Sequence, residues 1–229
     1  MSLDVITGNI FTSNAQTLVN TVNCEGVMGA GIALECRFRY PEMFARYQQL
    51  CSDGLLTPGK LWLYKGPERF VLNFPTKNSW KQPSHWSYVT QGLENLASSY
   101  RQRGITSIAL PLLGADKGGL PADQVLQKMQ EHLLPMAAEI PVHIYCYDPC
   151  AKDDLYDQLA ALFTNHSLQA LKQQTSISIK RLEAIKNVLE EGSICQLNQL
   201  AKVPGIGIKT LESLFQFSRQ QPPQTASLF

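Results

Sequence analysis

No stretch of apolar residues in the sequence approaches the roughly 18 that a membrane-spanning helix needs. The opening MSLDVITGNIF has neither a basic n-region nor a long apolar h-region, so no secretory signal is expected and the expected location is cytoplasmic. An excess of one charge is missing too. Twenty basic residues stand against 19 acidic ones, a formal charge of +1, which offers no global electrostatic grip on nucleic acid, although a local patch remains open. The six cysteines, Cys24, Cys36, Cys51, Cys146, Cys150 and Cys195, form no CxxC pair, and Cys146 and Cys150 lack partners at zinc-site spacing. Reduced, mostly buried thiols are expected, with no metal and no cofactor. Strict repeats are absent, which excludes collagen-like and coiled-coil classes. A composition 44% hydrophobic and 17% charged excludes a disordered chain, which carries too little apolar surface to offset its ordering entropy.

What is present is room for one domain of about 150 residues and a smaller one. Short apolar runs at 3–6, 17–22, 61–65, 70–74, 105–113 and 142–147 read as strands. Gly66 and Pro67 predict a hairpin between the third and fourth. Helical periodicity over 29–50, broken near Pro41, then over 87–103 and 122–138, fills the intervals. The run 105–113 is almost continuously apolar, as expected for a strand covered on both faces. Alternating strands and helices predict an α/β sandwich around a mixed, largely parallel sheet. In such a sheet the ligand crevice lies at the carboxyl ends of the strands. The first domain is assigned residues 1–163 and a polar junction 164–175. A small all-α domain follows over 176–219, with helices at 179–189, 194–201 and 209–217, and then a flexible tail over 220–229.

The segment Asn20-Thr-Val-Asn23-Cys-Glu-Gly26-Val-Met28-Gly29-Ala-Gly31-Ile32 carries the most information. A strand ends in asparagines and runs through glycines into a helix. Glycine lets backbone amides approach a ligand closely, and the helix N-terminus adds a positive dipole end; both suit phosphate. Asparagine amides hydrogen-bond sugar hydroxyls as donor and acceptor at once. The same spacing also fits a plain glycine turn that packs a helix on a sheet. A second loop, Leu112-Leu113-Gly114-Ala115-Asp116-Lys117-Gly118-Gly119-Leu120, follows the most apolar strand. Two such loops are suited to gripping a diphosphate from opposite sides. No Walker Lys-Thr pair follows either loop, and the first lacks the GxGxxG spacing of a dinucleotide site.

Together with Gly8-Asn9-Ile10, these segments resemble the macrodomain family, which binds ADP-ribose. The resemblance spans roughly residues 1–150 and implies a three-layer α/β/α sandwich. The blocks Asn20…Asn23…Gly26…Gly29…Gly31 and Asn73-Phe-Pro75-Thr76-Lys77…Trp80 resemble more narrowly the macrodomains of the DarG antitoxins, relatives of the terminal ADP-ribose glycohydrolases. The resemblance implies an ADP-ribosyl glycohydrolase acting on modified DNA bases, with a toxin as possible partner. By position, Lys77 is the catalytic lysine and Asn23 faces the distal ribose. Ligand contacts are implied at Gly8, Asn9, Ile10, Asn20, Gly26, Met28, Gly29, Gly31 and Ile32. On the later loops they fall at Pro75, Thr76, Leu113, Gly114, Ala115, Lys117, Gly118, Gly119 and Leu120, with Tyr147 stacking near the adenosine. A cation beside an anomeric carbon steers the ribose and stabilises developing negative charge, whereas most lysines are solvated surface groups.

Two positions depart from the pattern. Ala30 stands where DarG-type loops usually carry lysine, and Gly118 where the terminal glycohydrolases carry an aspartate. Asp116, two residues earlier, is the candidate substitute. These departures favour a second reading, a non-catalytic ADP-ribose reader. A third is a hydrolase of protein-linked or free ADP-ribose derivatives.

After the junction, Lys202-Val-Pro204-Gly205-Ile-Gly207-Ile-Lys209 resembles a helix-hairpin-helix, whose exposed amides dock DNA phosphate without base readout. Lys202, Gly205, Gly207 and Lys209 are its candidate DNA contacts, with a structural hairpin or a protein-binding module as the alternative. The end, Gln224…Leu228-Phe229, weakly resembles peptides that bind the bacterial sliding clamp.

Overall fold

The structure is a computed structural model and describes residues 2–220. The described residues divide into two compact units, with the boundary between Tyr147 and Asp148. The first unit is built on a six-stranded sheet ordered β1-β6-β5-β2-β4-β3. The strands are β1 (Leu3–Gly8), β2 (Thr17–Val22), β3 (Trp62–Lys65), β4 (Phe70–Pro75), β5 (Ile108–Pro111) and β6 (Val142–Tyr147). All neighbouring pairs are parallel except β3 with β4, the hairpin expected at Gly66 and Pro67. Five strands therefore end on one edge of the sheet, and the glycine loops singled out above in the first unit leave from that edge.

Alternation along the strands separates two cores. Val19, Leu72, Phe74, Ile108, Leu110 and Ile144 face α3 (Trp86–Arg103) and α4 (Ala122–Ala137). Leu18, Val22, Val71, Ala109 and Tyr145 face α1 (Gly31–Arg39) and α2 (Pro41–Ser52). The result is the expected α/β/α sandwich. Pro41 sits at the start of α2, where a missing amide costs nothing. It thus explains the break expected near it.

The apolar run 105–113 pairs over Ile108–Pro111 alone. Leu113 is fully buried after the backbone has left the sheet, so the apolar run extends beyond the paired strand. In the second unit, α5 (Asp154–Asn165), α6 (Leu168–Thr175), α7 (Ile179–Glu191) and α8 (Ile208–Gln220) accompany a 3-10 segment at Leu197–Lys202. Two differences from the sequence reading lie here. The helix α5 belongs to the second unit, and the polar stretch 164–175 contains α6. Ser167 caps α6 by accepting from the Ala170 amide, and burial of Leu171 and Thr175 gives the helix its packed face. The helix expected over 194–201 is the 3-10 segment, started by a reciprocal Gln196–Gln199 capping box. The sliding-clamp-like tail, including Leu228 and Phe229, lies outside the described residues. No helix among the described residues is long and apolar enough to cross a membrane.

Candidate functional site

At the carboxyl edge of the sheet, three loops meet. The first, residues 23–30, joins β2 to α1. Asn23 organises it from within: its side-chain Oδ1 accepts from the Glu25 amide at 2.9 Å, the Val27 amide at 3.3 Å and the Tyr47 hydroxyl at 3.1 Å. Its amide donates to the Val27 carbonyl at 2.5 Å. The oxygen expected to meet a ribose is thus already committed to the loop, and one N–H is left over. Tyr47 also donates to the Asn23 carbonyl at 2.8 Å, and burial, the largest influence, raises its hydroxyl well above the tyrosine range, so it stays a donor.

Ala30 caps α1 without a side-chain hydrogen bond. The first-turn amides of α1 therefore have no side-chain competitor for an anion. Gly29, Ala30 and Gly31 are exposed there, with Ile32 partly buried. Gly26 packs instead against α2.

The second loop, residues 112–120, runs over the first. A Cβ added at Gly31 would lie 3.7 Å from Lys117 Cγ, which places the two glycine loops side by side. Gly118 is closely covered: a Cβ there would stand 2.4 Å from Ser84 Oγ. That contact is a physical reason for the departure at this position, since Ser84 occupies the space an aspartate side chain would need. Asp116, the candidate substitute, is exposed, with its carboxylate 3.9 Å from Lys117 Nζ.

The third loop, residues 76–85, ties the other two together. Lys77 Nζ donates to the Lys117 carbonyl at 2.7 Å, and the Ser84 amide donates to the Gly118 carbonyl at 2.8 Å. Toward the first loop, the Cys24 amide donates to the Asn78 carbonyl at 3.0 Å, and Ser79 Oγ donates to Glu25 at 2.9 Å. Lys77 thus lies where both glycine loops meet. Cys24 is a spectator: burial, then Cys51 and Glu25, push its thiol up to about 12, which keeps it protonated at neutral pH.

The residues expected as ligand contacts differ in their exposure. Asn20, Met28 and Leu113 are almost completely covered and form the floor of the site rather than its surface. Asn20 donates to Asn73 at 2.9 Å across the β2–β4 pair. Pro75 and Thr76 are buried at the end of β4. They position Lys77 by leading the chain into its loop. Gly114 and Ala115 are buried and Gly119 is exposed, while Leu120 donates its amide to the Gly114 carbonyl at 3.1 Å and closes the loop on itself. At the far end, Gly8 pairs in register with Tyr147, which is 60% exposed, and Asn9 and Ile10 are buried beside it. Asn9 accepts from the Phe11 amide at 3.0 Å and is thereby a turn former. Sequence reasoning missed Glu25 and Ser84, because each acts on a partner more than thirty residues away in sequence.

In the second unit, Gly205 adopts φ +83 between the 3-10 segment and α8, and its carbonyl accepts from Arg181 Nε at 3.1 Å. Lys202, Gly205, Gly207 and Lys209 are all exposed.

The structure is an α/β/α sandwich with an uncapped helix N-terminus and two glycine loops at one sheet edge, a geometry suited to an anion. A family profile, the Macro domain, matches residues 19–129. The chain belongs to this family. It is 36% identical to the macrodomain of Mycobacterium tuberculosis DarG, with a TM-score of 0.61, covering 63% of this chain and 97% of that one. The Thermosipho africanus DarTG structure in complex with ADP-ribose is 33% identical, with a TM-score of 0.59, covering 63% of this chain and 42% of that one. A Thermus aquaticus protein named DNA ADP-ribosyl glycohydrolase is 38% identical over 151 residues, 64% of this chain. This chain spans 41% of that relative's length.

Proposed function

We propose that the chain is a DNA ADP-ribosyl glycohydrolase, a hydrolase that removes ADP-ribose from modified bases. The observation that carries the reading is the Lys77 ammonium, held 2.7 Å from the Lys117 carbonyl where the two glycine loops meet. The diphosphate is assigned to the first-turn amides of α1, with Gly29 and Gly31, and to the exposed turn at Gly119 on the second loop. Tyr147 beside Gly8 takes the adenosine end. The distal ribose then lies against the remaining Asn23 N–H, with Lys77 at its anomeric carbon. Breaking the bond between that carbon and the base, with water entering, yields ADP-ribose and the restored base. The names of the relatives support the substrate, and the fusion name of one, "DNA ADP-ribosyl transferase-DNA ADP-ribosyl glycohydrolase fusion protein", supports a transferase toxin as the partner whose product is reversed.

The test is release of ADP-ribose from a single-stranded oligonucleotide ADP-ribosylated on one base. Release is expected. Tight ADP-ribose binding with no release, there or from protein esters, would make the chain a reader, the reading that Ala30 and the bare Gly118 favour.

The hairpin of the second unit supplies a contact to the DNA backbone in this scheme. Lys202 and Lys209 flank its open glycines, and Arg181 is bonded to Gly205. Changing Lys202 and Lys209 together to glutamate is expected to weaken DNA binding similarly for all sequences and to reduce the salt slope by about 2. An unchanged slope in a titration across salt concentrations would remove the hairpin from DNA binding. A sliding-clamp contact through the tail rests on sequence resemblance alone.

A further inference from the structure

Trp80 is the part of the third loop that the chemistry above leaves unused. Half of its surface, 51%, faces solvent. A single exposed apolar side chain is ordinary; what distinguishes this one is how firmly its backbone is held. The Glu25 carboxylate accepts from Ser79 Oγ at 2.9 Å and from the Trp80 amide at 3.1 Å. Ser79 Oγ accepts in turn from the Lys81 amide at 3.4 Å, and the Ser79 carbonyl from the Gln82 amide at 3.2 Å. The ring is therefore presented on an ordered backbone, which lowers the ordering cost of a stacked ligand. Lys81 Nζ stands 5.5 Å from the ring centroid and brings a cation to the same place.

An exposed ring on a fixed backbone beside a cation is the combination that holds single-stranded nucleic acid, by stacking a base while charge follows the phosphate. Trp80 lies three positions after Lys77, at most about 11 Å between their Cα atoms. A ring so close to the proposed reacting bond is within reach of the strand that carries the modification. With a formal charge of +1 on the whole chain, electrostatic attraction alone is a weak grip, and stacking is the contribution that net charge does not limit.

We infer that Trp80 is a stacking platform for the nucleobase next to the ADP-ribosylated one in a single strand. The inference rests on the glycohydrolase reading for placing the linkage at Lys77. It gives the site a reason to prefer ADP-ribose on nucleic acid over ADP-ribose on protein.

Binding by the full chain is measured on a Lys77→Ala background, so that the ligand stays intact, with and without Trp80→Ala. The ligands are an ADP-ribosylated single-stranded oligonucleotide, the ADP-ribosylated mononucleoside of the same base, and ADP-ribose. Trp80→Ala is expected to weaken oligonucleotide binding by roughly 5- to 100-fold and to leave the two smaller ligands unchanged. Trp80→Phe retains most of the affinity, and the loss persists at high salt, where phosphate contacts fade. Unchanged oligonucleotide affinity overturns the inference. So does a loss shared by the mononucleoside or by ADP-ribose, which would assign Trp80 to the modified base or to support of the loop. A wild-type protein that binds the oligonucleotide and releases nothing would sink the glycohydrolase reading while leaving this comparison readable.

Discussion

Replacing Lys77 by alanine is expected to slow release of ADP-ribose from a modified oligonucleotide by roughly 10²- to 10⁴-fold, the range of a positioned acid, base or nucleophile. Affinity for ADP-ribose should change little, because the proposed diphosphate contacts come from backbone amides. The variant loses one hydrogen bond, from Lys77 Nζ to the Lys117 carbonyl. The loops keep their other tie, from the Ser84 amide to the Gly118 carbonyl. Lys77→Arg separates two roles that alanine cannot. Guanidinium preserves positive charge but does not give up a proton at accessible pH. An inactive arginine variant assigns Lys77 to proton transfer or nucleophilic attack; an active one assigns it to electrostatic stabilisation. A kcat for Lys77→Ala equal to that of wild type removes the residue from the mechanism.

That experiment isolates chemistry because so much of the surrounding site is structural, which was also the hardest part to read from residues alone. The strand ends and the loops that leave them were legible, since each is a local pattern: β2 and β6 fall at the expected residues, and Lys77 follows β4 in a recognisable block. The commitments of side chains across loops were not. Asn23 reads as a ribose ligand by position, yet its oxygen serves the Glu25 and Val27 amides and the Tyr47 hydroxyl. Gly118 reads as a lost aspartate until Ser84 is seen 2.4 Å from where a Cβ would be. Asp116 sits in the correct loop, but its carboxylate stands beside Lys117. For Gly118, and through Tyr47 for Asn23, the deciding partner is a tertiary neighbour, and spacing carries no information about it. The polar residues of α6 misled for a related reason, since a helix with two buried positions, Leu171 and Thr175, leaves almost no periodic trace.

The same tertiary logic makes Gly92→Ala a damaging conservative change in the sandwich. Gly92 lies inside α3, where alanine should by propensity stabilise the helix by about 1 kcal/mol. Here a Cβ would stand 2.1 Å from Phe74 Cζ and 2.4 Å from its Cε1. Phe74 is fully buried among Val19, Val89 and Leu93 in the core beneath α3, so its ring has little room to swing aside. Either α3 lifts from the sheet or β4 shifts, and overpacking of this kind costs about 1–3 kcal/mol and sometimes more. The expected net result is a loss of about 2 kcal/mol, seen as a lower urea midpoint with an unchanged m-value. Phe74→Leu added to Gly92→Ala should recover part of it by shortening the obstructing ring. Because Phe74 stands three residues before Lys77 on the strand that delivers it, the folded fraction of Gly92→Ala should also turn over more slowly than wild type. A Gly92→Ala protein as stable as wild type would show that the ring repacks freely. The close approach of α3 to β4 would then not be what fixes the end of the strand and the lysine beyond it.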